Sequence, residues 1–179
     1  MLDENNSLVL VIDIQERLVA ALEKDIITEK AAKLVAAAKI LNIPVIVSEQ
    51  YPKGLGNTVN SIKLNLDNST EFIEKTSFSL LREEGFLDKL KSYGKKQIVI
   101  CGIETHICVY QTALELIEAG FEVVIAKDIC ASRNKYEFKA GIEAMKNSGA
   151  KISCLEIILF EWLKGAKHPK FKEVQALIK

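Results

Sequence analysis

Residues 97–108 read Gln97-Ile98-Val99-Ile100-Cys101-Gly102-Ile103-Glu104-Thr105-His106-Ile107-Cys108, which is the most informative stretch of the sequence. Its apolar run predicts a strand buried on both faces, and the pattern over residues 106–119, closed by Gly120, predicts a helix. This order is typical of a parallel sheet, whose loops at the carboxyl ends of the strands hold the sites of open α/β folds. Cys108 would lie in the first turn of the helix, where the backbone N–H groups and the helix dipole favour a thiolate. It is therefore a candidate nucleophile.

The same alternation of apolar runs and helical patterns continues along the chain. Strands are predicted over residues 8–13, 44–48, 72–75, 98–101, 121–126 and 151–154, and helices over residues 28–41, 80–93, 106–119 and 135–148. Residues 51–66, rich in turn-forming Pro, Gly and Asn, predict a loop. Because continuous Val and Ile runs alternate with helices, we expect an α/β fold. It would be a three-layer α/β/α sandwich with a mostly parallel, about six-stranded sheet and Rossmann-like topology.

Length and charge indicate one domain and argue against several classes of partner. With 179 residues, we expect a single domain over residues 1–179. The 24 Lys and Arg residues balance the 24 Asp and Glu residues, which predicts no general attraction to nucleic acid or to an anionic membrane. No apolar run approaches the ~18–20 residues of a membrane span, and the acidic, polar start of the sequence is not typical of a targeting peptide.

The four cysteines are too few for a disulfide scaffold and lack the CxxC spacing of a zinc site. Three of them, Cys101, Cys130 and Cys154, are expected to be small buried hydrophobic residues. This usage fits a reducing, cytoplasmic compartment, and we predict neither a metal nor another cofactor. The glycine-rich motifs of nucleotide-binding domains do not follow any predicted strand, which argues against that class.

Two charged residues end predicted strands and would lie at the same edge of the sheet as Cys108. Asp13 ends the first strand, and it would either belong to a site or cap the helix that follows. Lys75 ends the third strand, and an ordinary surface lysine is the alternative reading. Together the three residues make chemical sense, because a carboxylate can accept the proton of a thiol. A lysine beside both would keep the carboxylate ionised and stabilise the thiolate.

Four ordered motifs resemble the isochorismatase-like cysteine hydrolases, a family that includes nicotinamidases and related amidases. The motifs are Val11-Ile12-Asp13-Ile14-Gln15, Glu74-Lys75-Thr76-Ser77-Phe78-Ser79, Gly102-Ile103-Glu104-Thr105-His106-Ile107-Cys108-Val109 and Asp128-Ile129-Cys130-Ala131-Ser132-Arg133. The resemblance covers residues 8 to about 172. It implies that Cys108 is the nucleophile and that Asp13 is the general base and later the general acid. It also implies that Lys75 orients both residues and supports them electrostatically.

The family also has a cis peptide bond before the nucleophile helix, which maps here to Ile103–Glu104. The resemblance implies that the backbone N–H groups of Glu104 and Cys108 point at one position and form an oxyanion hole. The implied reaction is an acyl transfer, in which Cys108 attacks an amide carbonyl and ammonia or an amine leaves. Water then hydrolyses the thioester.

The region after the second predicted strand departs from the nicotinamidase pattern. Nicotinamidases carry a metal site there, built from an Asp-x-His pair and further histidines, whereas no histidine precedes His106 in this sequence. The departure argues against a metal and against nicotinamide as the substrate. Gln50 and Tyr51 either line the substrate pocket or serve the loop, with Tyr51 packed beneath it. His106 either lines the pocket or contacts solvent or a helix cap.

Several functions remain to be compared. The leading one is hydrolysis of a small-molecule amide C–N bond, since isochorismatases proper act on an enol ether and do not need the cysteine. Hydrolysis of an ester or a vinyl ether is the enzymatic alternative, and a non-catalytic oligomeric scaffold is the non-enzymatic one. Because family members are usually oligomers, we expect a homo-oligomer. The carboxyl-terminal aromatic residues Phe160, Trp162 and Phe171 would serve the core or a subunit contact.

Overall fold

The fold is built on one sheet of six strands, seen in a computed structural model that describes residues 1–23, 25–68 and 70–179. The strands are β1 (Ser7–Ile12), β2 (Val45–Gln50), β3 (Glu71–Lys75), β4 (Gln97–Ile103), β5 (Glu122–Ala131) and β6 (Lys151–Ser153). They lie in the order β3-β2-β1-β4-β5-β6, and every paired neighbour is parallel. The α/β fold with a six-stranded, Rossmann-like sheet is confirmed.

Helices cover both faces of this sheet. In the described ranges they are α1 (Glu16–Ala20), α2 (Thr28–Ile40), α3 (Pro52–Leu55), α4 (Asn60–Lys63), α5 (Phe86–Ser92), α6 (Tyr110–Glu118), α7 (Lys135–Asn147), α8 (Leu155–Leu163) and α9 (Phe171–Ala176). Helices α2, α4, α8 and α9 pack on one face, and α5, α6 and α7 pack on the other. Successive strand residues point to opposite faces, so Val9 and Val11 join the first core while Leu8 and Leu10 join the second. This explains why the strands read as continuous apolar runs.

The order of the strands places a crevice between β1 and β4. The sheet grows in one direction from β1 through β2 to β3 and in the other from β4 through β5 to β6. Open α/β sheets bind ligands at such a reversal, outside the carboxyl ends of the strands. Gly102 allows β1 and β4 to approach there, because a Cβ atom on it would lie 2.1 Å from the carbonyl oxygen of Ile12. The chain segments that follow β1 and β4 therefore meet closely.

Two expectations for the chain between the strands are wrong. The predicted loop over residues 51–66 contains two single-turn helices, α3 and α4. The predicted helix over residues 80–93 is divided into a 3-10 turn (Leu80–Arg82) and α5. Gly85 separates these two pieces with a φ of 74°, a backbone conformation that an α-helix cannot continue through.

Strand β5 extends five residues beyond the predicted end at residue 126. Its pairing with β4 shifts in register and then resumes, with Gly102 opposite Cys130 and Ile103 opposite Ala131. The sequence pattern did not predict this continuation, because the polar residues Lys127 and Asp128 interrupt the apolar run. The longer strand brings the residues after Ala131 to the edge of the sheet at which β4 ends.

The remaining core predictions hold with one exception. Cys101 and Cys130 are buried, whereas Cys154 is only half-buried because it precedes α8 rather than lying within a strand. Trp162 is fully buried, and its Nε1–H donates to Ser7 Oγ at 2.9 Å. Of the helices formed by the described residues, none has the length and apolar character needed to cross a membrane.

Candidate active site

Asp13 follows β1 directly and is completely buried. It adopts a φ of 51°, which turns the chain away from the strand and which aspartate tolerates better than most residues. Its carboxylate accepts a hydrogen bond from Ser48 Oγ at 2.6 Å. The alternative reading as a helix cap is wrong, because Gln15 occupies the N-cap position of α1. The Asp13 side chain is instead directed into the crevice between the strands.

Lys75 ends β3 and is as deeply buried as Asp13. Its Nζ lies 2.7 Å from Asp13 Oδ2, and both side chains are 0% exposed. The ammonium also donates to Gln50 Oε1 at 2.6 Å and to the carbonyl oxygens of Ser77 and Phe78 at 3.2 Å. A buried charge needs a counter-charge and hydrogen-bond acceptors, and Lys75 has both. The reading of Lys75 as a surface lysine is therefore wrong.

Each oxygen of the Asp13 carboxylate has a partner. Ser48 Oγ donates to Oδ1 at 2.6 Å, and the Lys75 ammonium lies 2.7 Å from Oδ2. A carboxylate oxygen carries two lone pairs, so this carboxylate can also accept a hydrogen bond or a proton from a neighbouring group.

Cys108 is that neighbouring group. It lies in a wide π-helical turn (Thr105–Val109) that precedes α6, and it is 6% exposed. Burial raises the pKa of its thiol to about 12, the Asp13 carboxylate acts in the same direction, and the Lys75 ammonium lowers the pKa by less. The expected preference for a thiolate runs against this pKa, which loss of hydration raises. The structure brings Asp13, Lys75 and Cys108 together, with the thiol protonated near neutral pH.

The backbone before Cys108 contains a cis peptide bond, between Ile103 and Glu104. The carbonyl oxygen of Glu104 accepts hydrogen bonds from the N–H groups of Ile107 at 3.0 Å and Val109 at 3.3 Å, the residues on either side of Cys108. In the described part of the chain, the Glu104 N–H donates to no backbone or side-chain acceptor.

Gln50 and Tyr51 lie beside the charged pair at the end of β2. Gln50 accepts from Lys75, and its own Nε2 donates to the carbonyl oxygen of Thr76 at 2.9 Å. Tyr51 is 57% exposed, so it does not pack beneath its loop. Its ring instead covers Gly54, where a Cβ atom would lie 2.2 Å from the ring.

Sequence reasoning missed two residues that support this arrangement. Ser48 holds Asp13, and the fully buried Gln15 donates from Nε2 to the carbonyl oxygens of Gln50 and Gly56 at 3.0 and 2.7 Å. A polar residue inside or directly after a buried strand was the available signal for both.

His106 is held away from the charged pair by other contacts. Its Nδ1 forms a hydrogen bond with Ser132 Oγ at 2.9 Å, and its Nε2 lies 3.5 Å from Glu137 Oε2 on α7. The ring is also 3.6 Å from Glu104 Oε2. No contact found within the described residues joins His106 to Asp13, Lys75 or Cys108.

Among the described residues, one group of side chains brings metal-ligand atoms together, and its members are engaged in other contacts. Ligand atoms of Glu104, His106 and Glu137 lie within 4.8 Å of one another, but Glu104 is paired with Arg133. A guanidinium at this position opposes the binding of a cation. Near the end of β2, Glu49 accepts a hydrogen bond from the Thr58 N–H at 2.6 Å and thereby fixes the loop. The donors present are therefore used within the protein.

Comparisons with known proteins agree with the fold and the motifs. The isochorismatase domain matches residues 7–157. Isochorismatase domain-containing protein 2 of Xenopus laevis is 40% identical over 182 residues, which cover 99% of this chain and 85% of the relative. The structure of the MAR1 ribonuclease of Caenorhabditis elegans is 37% identical, with a TM-score of 0.94 over 99% of this chain and 91% of the other. The YcaC structure of Escherichia coli, described as an octameric hydrolase of unknown specificity, is 25% identical, with a TM-score of 0.87 over 99% and 94%.

Proposed function

The chain belongs to the isochorismatase family of hydrolases, and from that premise we propose that it cleaves an amide C–N bond of a small molecule through Cys108, Asp13 and Lys75. The proposal rests on one observation: the Asp13–Lys75 ion pair, 2.7 Å long and 0% exposed, lies beside a nearly buried thiol. Well-packed apolar side chains usually stabilise a fold as well as a buried ion pair does. Such a pair at the ligand crevice of an α/β sheet therefore supports a chemical role.

In the first step, Cys108 attacks the amide carbonyl carbon as its proton moves to Asp13. Because burial raises the pKa of the thiol to about 12, we propose that the proton leaves during the attack. The acceptor is the Asp13 carboxylate, whose charge and hydrogen bond act on the Cys108 thiol. Lys75 remains an ammonium and stabilises the negative charge that passes from the carboxylate to the reacting atoms.

The attack turns the carbonyl oxygen into an oxyanion. We propose that the backbone N–H groups of Glu104 and Cys108 hold it, a role supported by the Glu104 N–H, which has no acceptor among the described residues. Loss of one such donor typically costs ~10²–10³ in rate.

Collapse of the tetrahedral intermediate breaks the C–N bond. Asp13 returns the proton to the leaving nitrogen, so that ammonia or an amine departs and a thioester remains on Cys108. Asp13 then removes a proton from water, the hydroxide adds to the thioester, and the carboxylic acid leaves as the thiol is restored. Atoms and charge balance with water as the sole co-reactant, and the step requires no cofactor.

The substrate pocket is proposed at the surface above this group. Gln50 contacts Lys75 directly, and the exposed ring of Tyr51 lies next to it. We propose that both contact the part of the substrate that is not cleaved. His106 stays a proposed lining residue whose recorded contacts lie towards α7.

A small molecule fits this site better than RNA does. Although the C. elegans relative is named a ribonuclease, Cys108 is 6% exposed and the chain balances 24 basic with 24 acidic residues. A polyanion requires an accessible basic surface. We therefore propose a single hydrolase domain, over residues 1–179, that acts on a small substrate.

The test is a screen of small amides for ammonia release. We expect turnover in the wild type, none in Cys108→Ala and unchanged turnover in Cys154→Ala, whose half-buried sulfur precedes α8. Esters, vinyl ethers and short RNAs form further arms of the screen. If the enzyme turned over only esters, only vinyl ethers or only short RNAs, that class would replace amides as the proposed substrate. Wild-type turnover by Cys108→Ala would exclude covalent catalysis by that residue.

We also propose that the protein is a cytoplasmic homo-oligomer. The related YcaC is described as octameric. On α8, Ile157 and Phe160 are 52% and 43% exposed and would be covered by a second copy. Light scattering after size-exclusion chromatography measures the oligomeric state, and a monomer at micromolar concentration would contradict the proposed homo-oligomer.

A further inference from the structure

Three consecutive residues ahead of Cys108 are tied to three consecutive residues at the end of β5. Residues 104–106 form one side and residues 131–133, called here the 131–133 segment, form the other. The ties are Arg133 Nε with Glu104 Oε1, the Arg133 N–H with Glu104 Oε2 at 3.4 Å, Thr105 Oγ1 with the Ala131 carbonyl oxygen at 2.9 Å, and His106 Nδ1 with Ser132 Oγ at 2.9 Å. The turn that carries the nucleophile is thus anchored to a neighbouring strand.

The tie to Glu104 reaches Cys108 through the backbone. The Glu104 carbonyl oxygen holds the N–H groups of Ile107 and Val109, which flank Cys108. A shift of Glu104 would therefore move the Cys108 turn and the proposed oxyanion donors at the same time.

The charge of Glu104 also bears on the proposed reaction. Its side chain is 6% exposed, and the Arg133 guanidinium, 57% exposed, neutralises it. Without Arg133, a buried negative charge would lie next to the position where the oxyanion develops and would oppose it.

We propose that Arg133 is a positioning residue, which acts through Glu104 to hold the oxyanion-binding N–H and the Cys108 turn in place. The inference rests on the proposed hydrolysis for its effect on turnover. Its effect on the backbone does not depend on that reaction. Ser132 and the Ala131 carbonyl group complete the anchor at its other two points.

The first experiment measures kcat and KM of Arg133→Gln. We expect kcat to fall by about ten- to a hundredfold, with KM changed less than about twofold, because the lost interaction matters chiefly in the transition state. Arg82→Gln is the matched control, since Arg82 is 58% exposed and pairs with Glu115 at 2.8 Å. Arg133→Lys, which keeps the charge, should recover part of the lost kcat. Equal kcat for Arg133→Gln and Arg82→Gln would overturn the proposal.

A double-mutant cycle tests whether Arg133 acts through Glu104. Glu104→Gln breaks the same ion pair, so the kcat of Glu104→Gln/Arg133→Gln should be no lower than that of Arg133→Gln alone. Additive losses in kcat would overturn the proposal.

Hydrogen exchange tests the anchor without using turnover. In Arg133→Gln the amides of Ile107 and Val109 should exchange faster than in the wild type, and in Arg82→Gln they should not. Unchanged exchange in Arg133→Gln would overturn the inference whatever the substrate. Faster exchange in a protein that hydrolyses no amide would leave the anchor standing and remove only the proposed amide substrate.

Discussion

Cys108 and Cys130 lie near the carboxyl ends of neighbouring strands, and burial raises the pKa of both thiols to about 12. Their neighbours differ. Cys108 has a buried carboxylate and a buried ammonium beside it, whereas the pKa of Cys130 responds to a hydrogen bond with the Gly102 backbone and to the charge of Asp128. The comparison shows that a raised pKa does not identify a nucleophile. What distinguishes Cys108 is a group that can accept its proton.

The largest effect is expected from removing that acceptor. Asp13→Asn keeps the shape of the side chain but cannot accept the proton, so kcat should fall by ~10²–10⁴. Asp128→Asn is the matched control near Cys130, where Asp128 pairs with Lys30 at 2.8 Å. Steady-state rates on an amide found in the screen decide the matter. A fall of similar size in both variants would contradict the distinction drawn between the two cysteines.

Lys75 pairs with Asp13 and Lys30 pairs with Asp128, but only the first pair is fully buried. The two pairs should therefore differ in their contribution to stability. Lys75→Met leaves the fully buried Asp13 carboxylate without its cation, and we expect a loss of ~3–5 kcal/mol in the free energy of unfolding. Lys30→Met removes a pair that is 46% and 26% exposed, for which we expect at most about 1 kcal/mol. Urea denaturation measures both. Equal losses in the free energy of unfolding would contradict the expectation that the buried Asp13 carboxylate depends on Lys75.

Exchanging sulfur for oxygen should separate stability from activity. Cys130→Ser places a hydroxyl in the core and should lower the free energy of unfolding by ~1–3 kcal/mol while the folded protein keeps its turnover. Cys108→Ser should remain close to the wild type in stability, because its hydroxyl can donate to Asp13, yet lose turnover. Turnover per folded molecule is the quantity to compare. Loss of turnover in Cys130→Ser alone would reverse the assignment.

The pKa of Cys108 predicts how its alkylation depends on pH. A pKa raised to about 12 keeps the thiol protonated across the neutral range. The rate of reaction with iodoacetamide should therefore rise about tenfold per pH unit from pH 7 to 10, with no plateau. Peptide mapping separates this signal from that of the half-buried Cys154. A plateau below pH 9 would show an activated thiolate in the resting protein.

Much of the fold could be predicted from the sequence because the strands are buried on both faces. Runs such as Leu8-Val9-Leu10-Val11-Ile12 have few alternatives to a central parallel strand. Residues 127–131 of β5 were not predicted, because Lys127 and Asp128 interrupt the apolar pattern. This part of the strand is recognised only from its pairing with β4. The break at Gly85 and the π-helical turn before α6 were also not predicted.

Part of the candidate site could be predicted from the sequence, and part could not. The motif order placed Asp13, Lys75 and Cys108 at one edge of the sheet, and the structure brings them together. The protonation of Cys108 could not be predicted, because it depends on burial as well as on chain position. The ties between residues 104–106 and the 131–133 segment could not be predicted either, since they join residues distant in sequence through side-chain geometry.

The most direct test of covalent catalysis is the mass of the protein during turnover. A substrate amide found in the screen is mixed with the enzyme, the reaction is stopped with acid within the first turnovers, and peptides are mapped. We expect the acyl group on Cys108, located within its peptide by fragmentation, and not on Cys101, Cys130 or Cys154. Steady turnover without an acyl group on Cys108, retained in Cys108→Ala, would contradict it.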